Sequence, residues 1–570
     1  MQSVYPVTRA QRTIYFGHQL DATGHLYNTG MYTETIGDDI DIDRMITAIH
    51  SVLDVAETLH VNFDVDADGN VVQIPRATRE WDLPVIDFRG EDDPAAASDR
   101  WMRETMNEPQ DLARDLLFRF AIHRLADDTV RLYQQYHHIV NDGYGIGLAT
   151  TAMTKAYVEG KGPDRAAEWT LERYVRVDEE YVASEQRELD RRYWLDELAD
   201  LPQVTRLLGS GRLSSPGELV AWSHIDADGR GRLERYAKAH GTRLATVLIA
   251  LLGAYLARAT RRRDVVISLP TTARGTRELR TVPAMVASVL PLRFDVPDDA
   301  RLADVAEVID GKLLGLLKHG RYRGEDLGRE LADIDPDWRP PTVGVNIMPA
   351  SVSRYSVGRE SQAHMLSSGP VGELEFIVVL EKAGHPIEIG LRGHADDAPL
   401  AQRCAADLDD FLTAILADLD APLGTFDVAP APSITEGPEA DHIGVAVGHE
   451  DTTAGPLALM PATVRRRDAG RAVDADLREY RIPAPEDLTE DAVVAAVSAV
   501  VEHHPALRTT LTAPAPVLWL LSVNDSAAVD ARALVASAAL PGPSSQAPRC
   551  PREPRLPTCP CALMPPPAGS

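Results

Sequence analysis

Two histidines, an aspartate and a glycine fall close together in His137-His138-Ile139-Val140-Asn141-Asp142-Gly143. An unperturbed imidazole titrates near pH ~6.5, so a histidine at such a motif suits general-base work at neutral pH. Upstream, Leu132, Gln134 and Tyr136 alternate with Tyr133 and Gln135, the period of a β-strand that ends at the histidines. Asn141-Asp142-Gly143 is a turn signal, and a helix is expected through Leu148, Met153 and Tyr157 to a glycine-rich stop at 160–162. Strand alternation sends His137 and His138 to opposite faces, so that one is held in the interior while the other reaches a reaction channel.

The elements that must position this motif extend well to either side of it. From residue 5 to about 425, strand-like and helix-like segments alternate with short breaks, which predicts an α/β or α+β fold. Helical periodicity covers Asp43–Leu59, Thr170–Leu198, Gly231–Ala259 and Leu302–Leu317. Around the second of these, Trp169, Tyr174, Tyr181, Tyr193 and Trp194 lie among acids and arginines, as in a long amphipathic helix or two in tandem. Strands are expected at Val130–Tyr136, Asp264–Leu269, Leu290–Val296, Thr342–Ile347 and Leu374–Leu380.

The formal charge of −28 argues against nucleic acid or an anionic membrane as a partner, since phosphate binding needs a basic face. The longest apolar stretch, Leu244–Ala257, is shorter than the roughly 20 residues a membrane span requires, and reads as a buried helix. The opening MQSVYPVTRAQ lacks the pattern of a signal peptide. Cys404 alone precedes residue 550, so no disulfide framework or metal ligand set is expected, and a cytoplasmic location is.

Residues 431–455 break the rhythm with Pro, Gly and acids and read as a linker. Beyond it the start of the chain returns. Ile40–Phe63 aligns without gaps onto Leu488–Leu511, and PVTRAQRTIYF at 6–16 has a loose counterpart in PLALMPATVRRR at 456–467. Order and spacing point to a partial second copy of one fold over 456–524. The Ala- and Pro-rich remainder, 525–570, holds too little to build a core and is expected to be disordered.

His-His-x-x-x-Asp-Gly at 137–143 resembles the motif of the condensation domains of nonribosomal peptide synthetases, within the wider superfamily similar to chloramphenicol acetyltransferase. Other blocks of the chain resemble the family in order. They are YPVTRAQRTIYF at 5–16, DEEYVASEQRELDRRYWLDELADLP at 178–202, VPAMVASVLPLRFDV at 282–296, HGRYRGEDLGREL at 319–331 and PPTVGVNIMP at 340–349. Departures are Leu59-His60 where a block usually ends in Leu-Arg, Ala56 where a His is usual, and Ser288 where many members have Asn.

This resemblance implies two chloramphenicol-acetyltransferase-like lobes in a V-shaped pseudo-dimer, at 1–175 and 176–430, with the motif at the floor of a tunnel between them. Donor and acceptor arrive as thioesters on the phosphopantetheine arms of carrier proteins or other synthetase modules in trans, with no cofactor bound covalently and no metal. The acceptor amine attacks the donor thioester, and an amide forms. His138 stands beside that amine, as general base or as the group that positions it and stabilises the charged intermediate. The Gly143 N–H is placed to donate to the developing oxyanion. His137 is expected as packed support, and the family pattern gives buried Asp142 the guanidinium of Arg293 as partner. Other enzymes of the superfamily, an acyltransferase using coenzyme A or an epimerisation domain, carry a similar motif, and some condensation-like domains act as non-catalytic docking modules.

Overall fold

The computed structural model describes residues 4–431 apart from 22, 67–68, 77–79, 164–168, 209–214, 336–337, 350–359 and 381–383. Beyond 431 it describes 455–457, 489–503, 509–515, 518–523, 531–537 and 561–563. The chain forms two compact units, Met1–Gly437 and Pro438–Ser570.

The first unit begins β1 (Tyr5–Pro6), α1 (Arg9–Leu20), β2 (Asn28–Ile36), α2 (Ile42–Leu53), β3 (Val61–Val65), β4 (Val71–Pro75) and β5 (Val85–Asp87). It continues through α3 (Pro94–Met106), β6 (Phe118–Arg124), β7 (Thr129–His137), α4 (Gly143–Glu159), α5 (Leu171–Val182) and α6 (Glu185–Glu197). Next come β8 (Ser215–Pro216), β9 (Glu218–Ile225), α7 (Ala227–Ala239), α8 (Leu244–Thr260), β10 (Asp264–Thr271), β11 (Ser288–Asp295), α9 (Leu302–His319) and α10 (Gly324–Ile334). The unit closes with β12 (Val343–Pro349), β13 (Glu360–Ser368), β14 (Pro370–Val371), β15 (Leu374–Leu380), β16 (Ile387–Gly393) and α11 (Ala398–Ala417).

Two lobes are built on two main sheets. The first has the order β13-β2-β7-β6-β5 and the second β11-β10-β12-β15-β16-β9. The alternating pattern that predicted the strand before the histidines is realised in β7, whose Tyr133 and Tyr136 are fully buried. In the second lobe α8 is buried along most of its length, as expected of a helix that is apolar on every side. Among the described residues no single helix is long and apolar enough to cross a membrane.

Helix boundaries are tighter than periodicity suggested. The helix expected over 43–59 stops at Leu53, and a 3₁₀ turn covers Glu57–Leu59. The tandem over 170–198 divides at Ser184, whose side chain accepts from the Arg187 N–H and caps α6. The stretch 231–259 is likewise two helices, α7 and α8, parted by residues 240–243. In each case a local turn signal interrupts an apolar period that runs on across it.

The lobe division expected near residue 175 is crossed twice. Strand β13, late in the chain, pairs antiparallel with β2 and so completes the first lobe's sheet. The loop between β10 and β11 inserts Leu279, Val282, Ala284 and Met285 into the first lobe's apolar core, beside Ile139, Val140 and Met153. Motif and loop are thus packed as one body.

In the second unit the described strands are β17 (Gly455–Leu457), β18 (Thr509–Ala515) and β19 (Leu518–Val523), with α12 (Glu490–His503) preceding the last two. Their sheet has the order β17-β19-β18, the same as β1-β4-β3 near the N-terminus. The helices also start alike. The Asp41 side chain accepts from the Arg44 N–H at α2, and the Thr489 side chain accepts from the Ala492 N–H at α12. Short strands β20 (Val535–Ser537) and β21 (Cys561–Leu563) pair in parallel. A 3₁₀ turn covers Ala531–Leu534, and the rest of the tail, like the linker between Ala431 and Gly455, lies outside the described residues.

Candidate active site

Strand β7 delivers the histidines, and the helix start of α4 fixes the aspartate. Asp142 is the N-cap of α4 and is 1% exposed. Its Oδ1 accepts from the Gly145 N–H at 2.7 Å and from Arg274 Nη2 at 2.8 Å. Its Oδ2 accepts from the N–H groups of Val286 and Ala287, each at 2.8 Å. Burial alone would raise the pKa of this carboxyl, but the Arg274 charge and these donors outweigh it and hold it below the usual range.

The partner expected for Asp142 was Arg293, and the structure corrects this to Arg274. Arg293 stands on β11, where Leu290, Leu292 and Phe294 enter the second lobe's core and the partly exposed Arg293 takes the opposite parity. It donates instead to Asp264, with Nε and Nη2 each 2.9 Å from a carboxylate oxygen, and to Asp200 at 2.8 Å. Arg274, from the β10–β11 loop, is buried with Asp142 and also donates to the carbonyls of Leu279, Val282 and Ala284. Nothing in TTARGTRELR singles out Arg274 from Arg277 or Arg280; its role arises from the loop's packing against the first lobe.

His137 and His138 separate as the strand period predicts. His137 is fully buried; its Nδ1 accepts from the Ile139 N–H at 3.2 Å, and its Nε2 lies 3.2 Å from His18 Nδ1. Burial, then the neighbouring His18 and His138, push its pKa well below the ordinary value, so it is neutral. With Nδ1 accepting, its proton sits on Nε2 and is donated to His18. His18, on α1, and Tyr27, whose ring also lies against His137, are partners that the motif alone does not reveal.

His138 is partly exposed, and its backbone N–H donates to the Tyr27 carbonyl at 2.8 Å. Its Nδ1 is 3.1 Å from the Asn141 carbonyl, an acceptor, which places the ring proton on Nδ1 and leaves a lone pair on Nε2. Burial lowers its pKa, and the opposing pull of Asp142 does not reverse this. At neutral pH the ring can therefore accept a proton at Nε2. That is the tautomer a general base needs.

Gly143 is exposed and is the first residue of α4, so its N–H belongs to the helix end that intrahelical carbonyls do not satisfy. The glycine of this turn that a close backbone approach requires is Gly145 rather than Gly143. A Cβ at 143 would meet nothing within 4 Å, whereas one at 145 would collide with Asn141 Oδ1 and press on the Ala284 backbone. Of the departing positions, Ala56 and His60 are core residues of the first lobe, His60 Nε2 lying 3.1 Å from the Leu53 carbonyl. Ser288 is buried at the start of β11, where its Oγ accepts from the Gly324 N–H.

The condensation-domain family model matches residues 1–365. The dimodular nonribosomal peptide synthase of Bacillus subtilis (strain 168) is 31% identical over 388 residues, which is 68% of this chain and 16% of that protein. The isonitrile lipopeptide synthase of Streptomyces coeruleorubidus is 33% identical over 397 residues, 69% of this chain and 27% of that one. The chain thus spans under a third of the length of either relative. Among solved structures, the first condensation domain of the calcium-dependent antibiotic synthetase, in complex with substrate analogue 3a, is 28% identical with a TM-score of 0.65. The match covers 75% of this chain and 99% of that one. A variant of the starter condensation domain of rhizomide synthetase, in complex with C8-CoA, is 27% identical with a TM-score of 0.65, covering 75% and 98%. With its two lobes and the motif held between β7 and α4, the chain belongs to the condensation-domain family.

Proposed function

We propose that the first unit forms an amide bond between an acyl or peptidyl donor and an aminoacyl acceptor, both presented as thioesters on phosphopantetheine arms of carrier proteins. The observation that carries this reading is the state of His138: a neutral imidazole with Nδ1 committed to a backbone carbonyl and Nε2 open, beside the unsatisfied helix start at Gly143. In the reaction the acceptor nitrogen attacks the donor carbonyl carbon, and the C–S bond breaks as the tetrahedral intermediate collapses. Nε2 accepts a hydrogen bond from the attacking amine and takes the proton that the amine must shed. The Gly143 N–H donates to the oxyanion. His137, Asp142 and Arg274 hold the turn rather than touch the substrate.

An α-amino group has a pKa of about 8, so part of the acceptor is already nucleophilic at neutral pH. Orientation of the two thioesters then supplies much of the acceleration, up to roughly 7–11 kcal/mol in well-aligned systems. Incubating the full chain with two loaded carrier proteins and following product by mass spectrometry tests the reading. Amide-linked product on the acceptor carrier supports it, and hydrolysis or no transfer contradicts it. The neighbour solved with C8-CoA favours, as a second reading, transfer from coenzyme A. Replacing the donor carrier by C8-CoA in the same assay separates the two.

We also propose that the second unit begins another copy of this fold. Strand registers support it, since the interval from Val61 to Thr509 is also that from Pro75 to Val523, and Val61 pairs with Pro75 as Thr509 pairs with Val523. The same interval separates Asp41 from Thr489, the two helix caps. The lobes at 1–175 and 176–430 and the copy at 456–524 are proposed with the boundaries expected from sequence, β13 excepted.

A further inference from the structure

His138 is shaped from outside the motif by the strand that crosses back from the second lobe. Gly369 follows β13 directly, one residue beyond the pairing of Ser368 with Thr29. Its φ is +90°, a region that residues with a side chain rarely adopt. A Cβ at 369 would lie 3.0 Å from His138 Cδ2, 3.5 Å from Thr29 Cγ2 and 3.9 Å from His138 Nε2. The backbone at 369 therefore lies along the Cδ2–Nε2 edge of the imidazole, the edge that carries the open lone pair.

This backbone is clamped by a buried arginine. Arg392 on β16 is 3% exposed; its Nη2 donates to the Gly369 carbonyl at 2.6 Å, and its Nη1 donates to Glu375 on β15 at 2.5 Å and to the Ser368 hydroxyl. The second lobe's sheet thus holds the crossover at a set height over the first lobe's histidine.

We propose that Gly369 and Arg392 are positioning residues for His138. The arginine presses the crossover against the ring edge, and the missing side chain at 369 leaves Nε2 reachable by the attacking amine. The proposal rests on the amide-forming reading above, and its test is read partly without turnover. Gly369→Ala puts a methyl group against the ring, whereas Gly384→Ala is a control, since Gly384 has φ +92° with nothing within 4 Å. Both variants carry the backbone strain, and only the first carries the contact.

With 13C-labelled histidine and the His138 signal identified through His138→Gln, Gly369→Ala is expected to move that signal and Gly384→Ala to leave it in place. Turnover with loaded carriers is expected to fall about 100-fold in Gly369→Ala, the scale of an ångström-level misplacement, and to stay within about twofold in Gly384→Ala. Arg392→Lys keeps a charge beside Glu375 but gives up the fork, and is expected to move the His138 signal with a smaller loss, about tenfold. An unmoved His138 signal in Gly369→Ala overturns the proposal, as does equal turnover in the two glycine variants. Should Gly369→Ala not fold, an unmoved signal in Arg392→Lys overturns it. A wild-type chain that makes no amide contradicts the proposed reaction instead, and leaves the signal comparison standing.

Discussion

Two arginines on one β-hairpin, Arg274 in the loop and Arg293 on the returning strand, each bind carboxylates, but in different surroundings. Arg274 and Asp142 have no solvent exposure in their side chains, and the pair ties the second lobe's loop to the first lobe's helix start. Arg293 is 23% exposed and its partners more so, with Asp200 at 66% and Asp264 at 35%. Each has two or more donors or acceptors around it, so the number of hydrogen bonds does not distinguish them. What differs is what remains when one partner is removed: an isolated charge in the interior, or a charge that water can reach. The buried pair is the joint on which the motif depends, and the exposed one is a local brace.

The largest effect separating the two belongs to Asp142→Ala. It strands a buried guanidinium and leaves the N–H groups of Gly145, Val286 and Ala287 without their acceptor, so a loss of about 3–5 kcal/mol is expected. Yield of soluble protein and the midpoint of urea unfolding both report it. Arg274→Met should cost a similar amount, but the double variant Asp142→Leu with Arg274→Met should cost less than the sum of the singles. Additive losses in that cycle would mean the two side chains do not act as a pair.

Acid should discriminate next. The folded-state pKa of Asp142 is depressed, so its contribution is fully present above the unfolded value near ~3.9 and is lost as pH falls through the lower folded value. Urea unfolding followed from pH 7 down to about 3 should show a loss in the wild type that Asp142→Asn, already destabilised, lacks over the same range. Arg293→Met should produce the smallest change, at most about 1 kcal/mol, because its ion pairs are screened by solvent. A loss as large as that of Arg274→Met would erase the distinction between joint and brace.

The same distinction explains how far the sequence could be read. Alternation before the histidines, the Asn-Asp-Gly turn and the glycine stop after the helix are local signals, and β7, Asp142 as N-cap and α4 appear where those signals lie. The repeat proposed above rests on signals of the same local kind, since a cap and a strand register are written within a few residues. Burial is not local. Val52 of α2 is wholly buried, in a core that α4 and the loop between β10 and β11 complete, whereas Val500 of α12, at the matching place in the proposed repeat, is 48% exposed. The partner of Asp142 was missed likewise: Arg274 acts across 132 residues of chain, and its loop shows no periodicity. Gly369 and His18 contact the histidines only through the crossover strand and the end of α1.

The central claim is that His138 does chemistry while Asp142 and Arg274 hold the fold, and one experiment addresses it directly. Wild-type chain and His138→Ala are each mixed with two loaded carriers, and the initial rate of amide formation is measured alongside the melting temperature. The expected result is a rate lower by about 10²–10⁴ in His138→Ala, the usual range for a removed general base, with a melting temperature close to wild type. A variant that melts as early as Asp142→Ala, or one that condenses at the wild-type rate, would contradict the account.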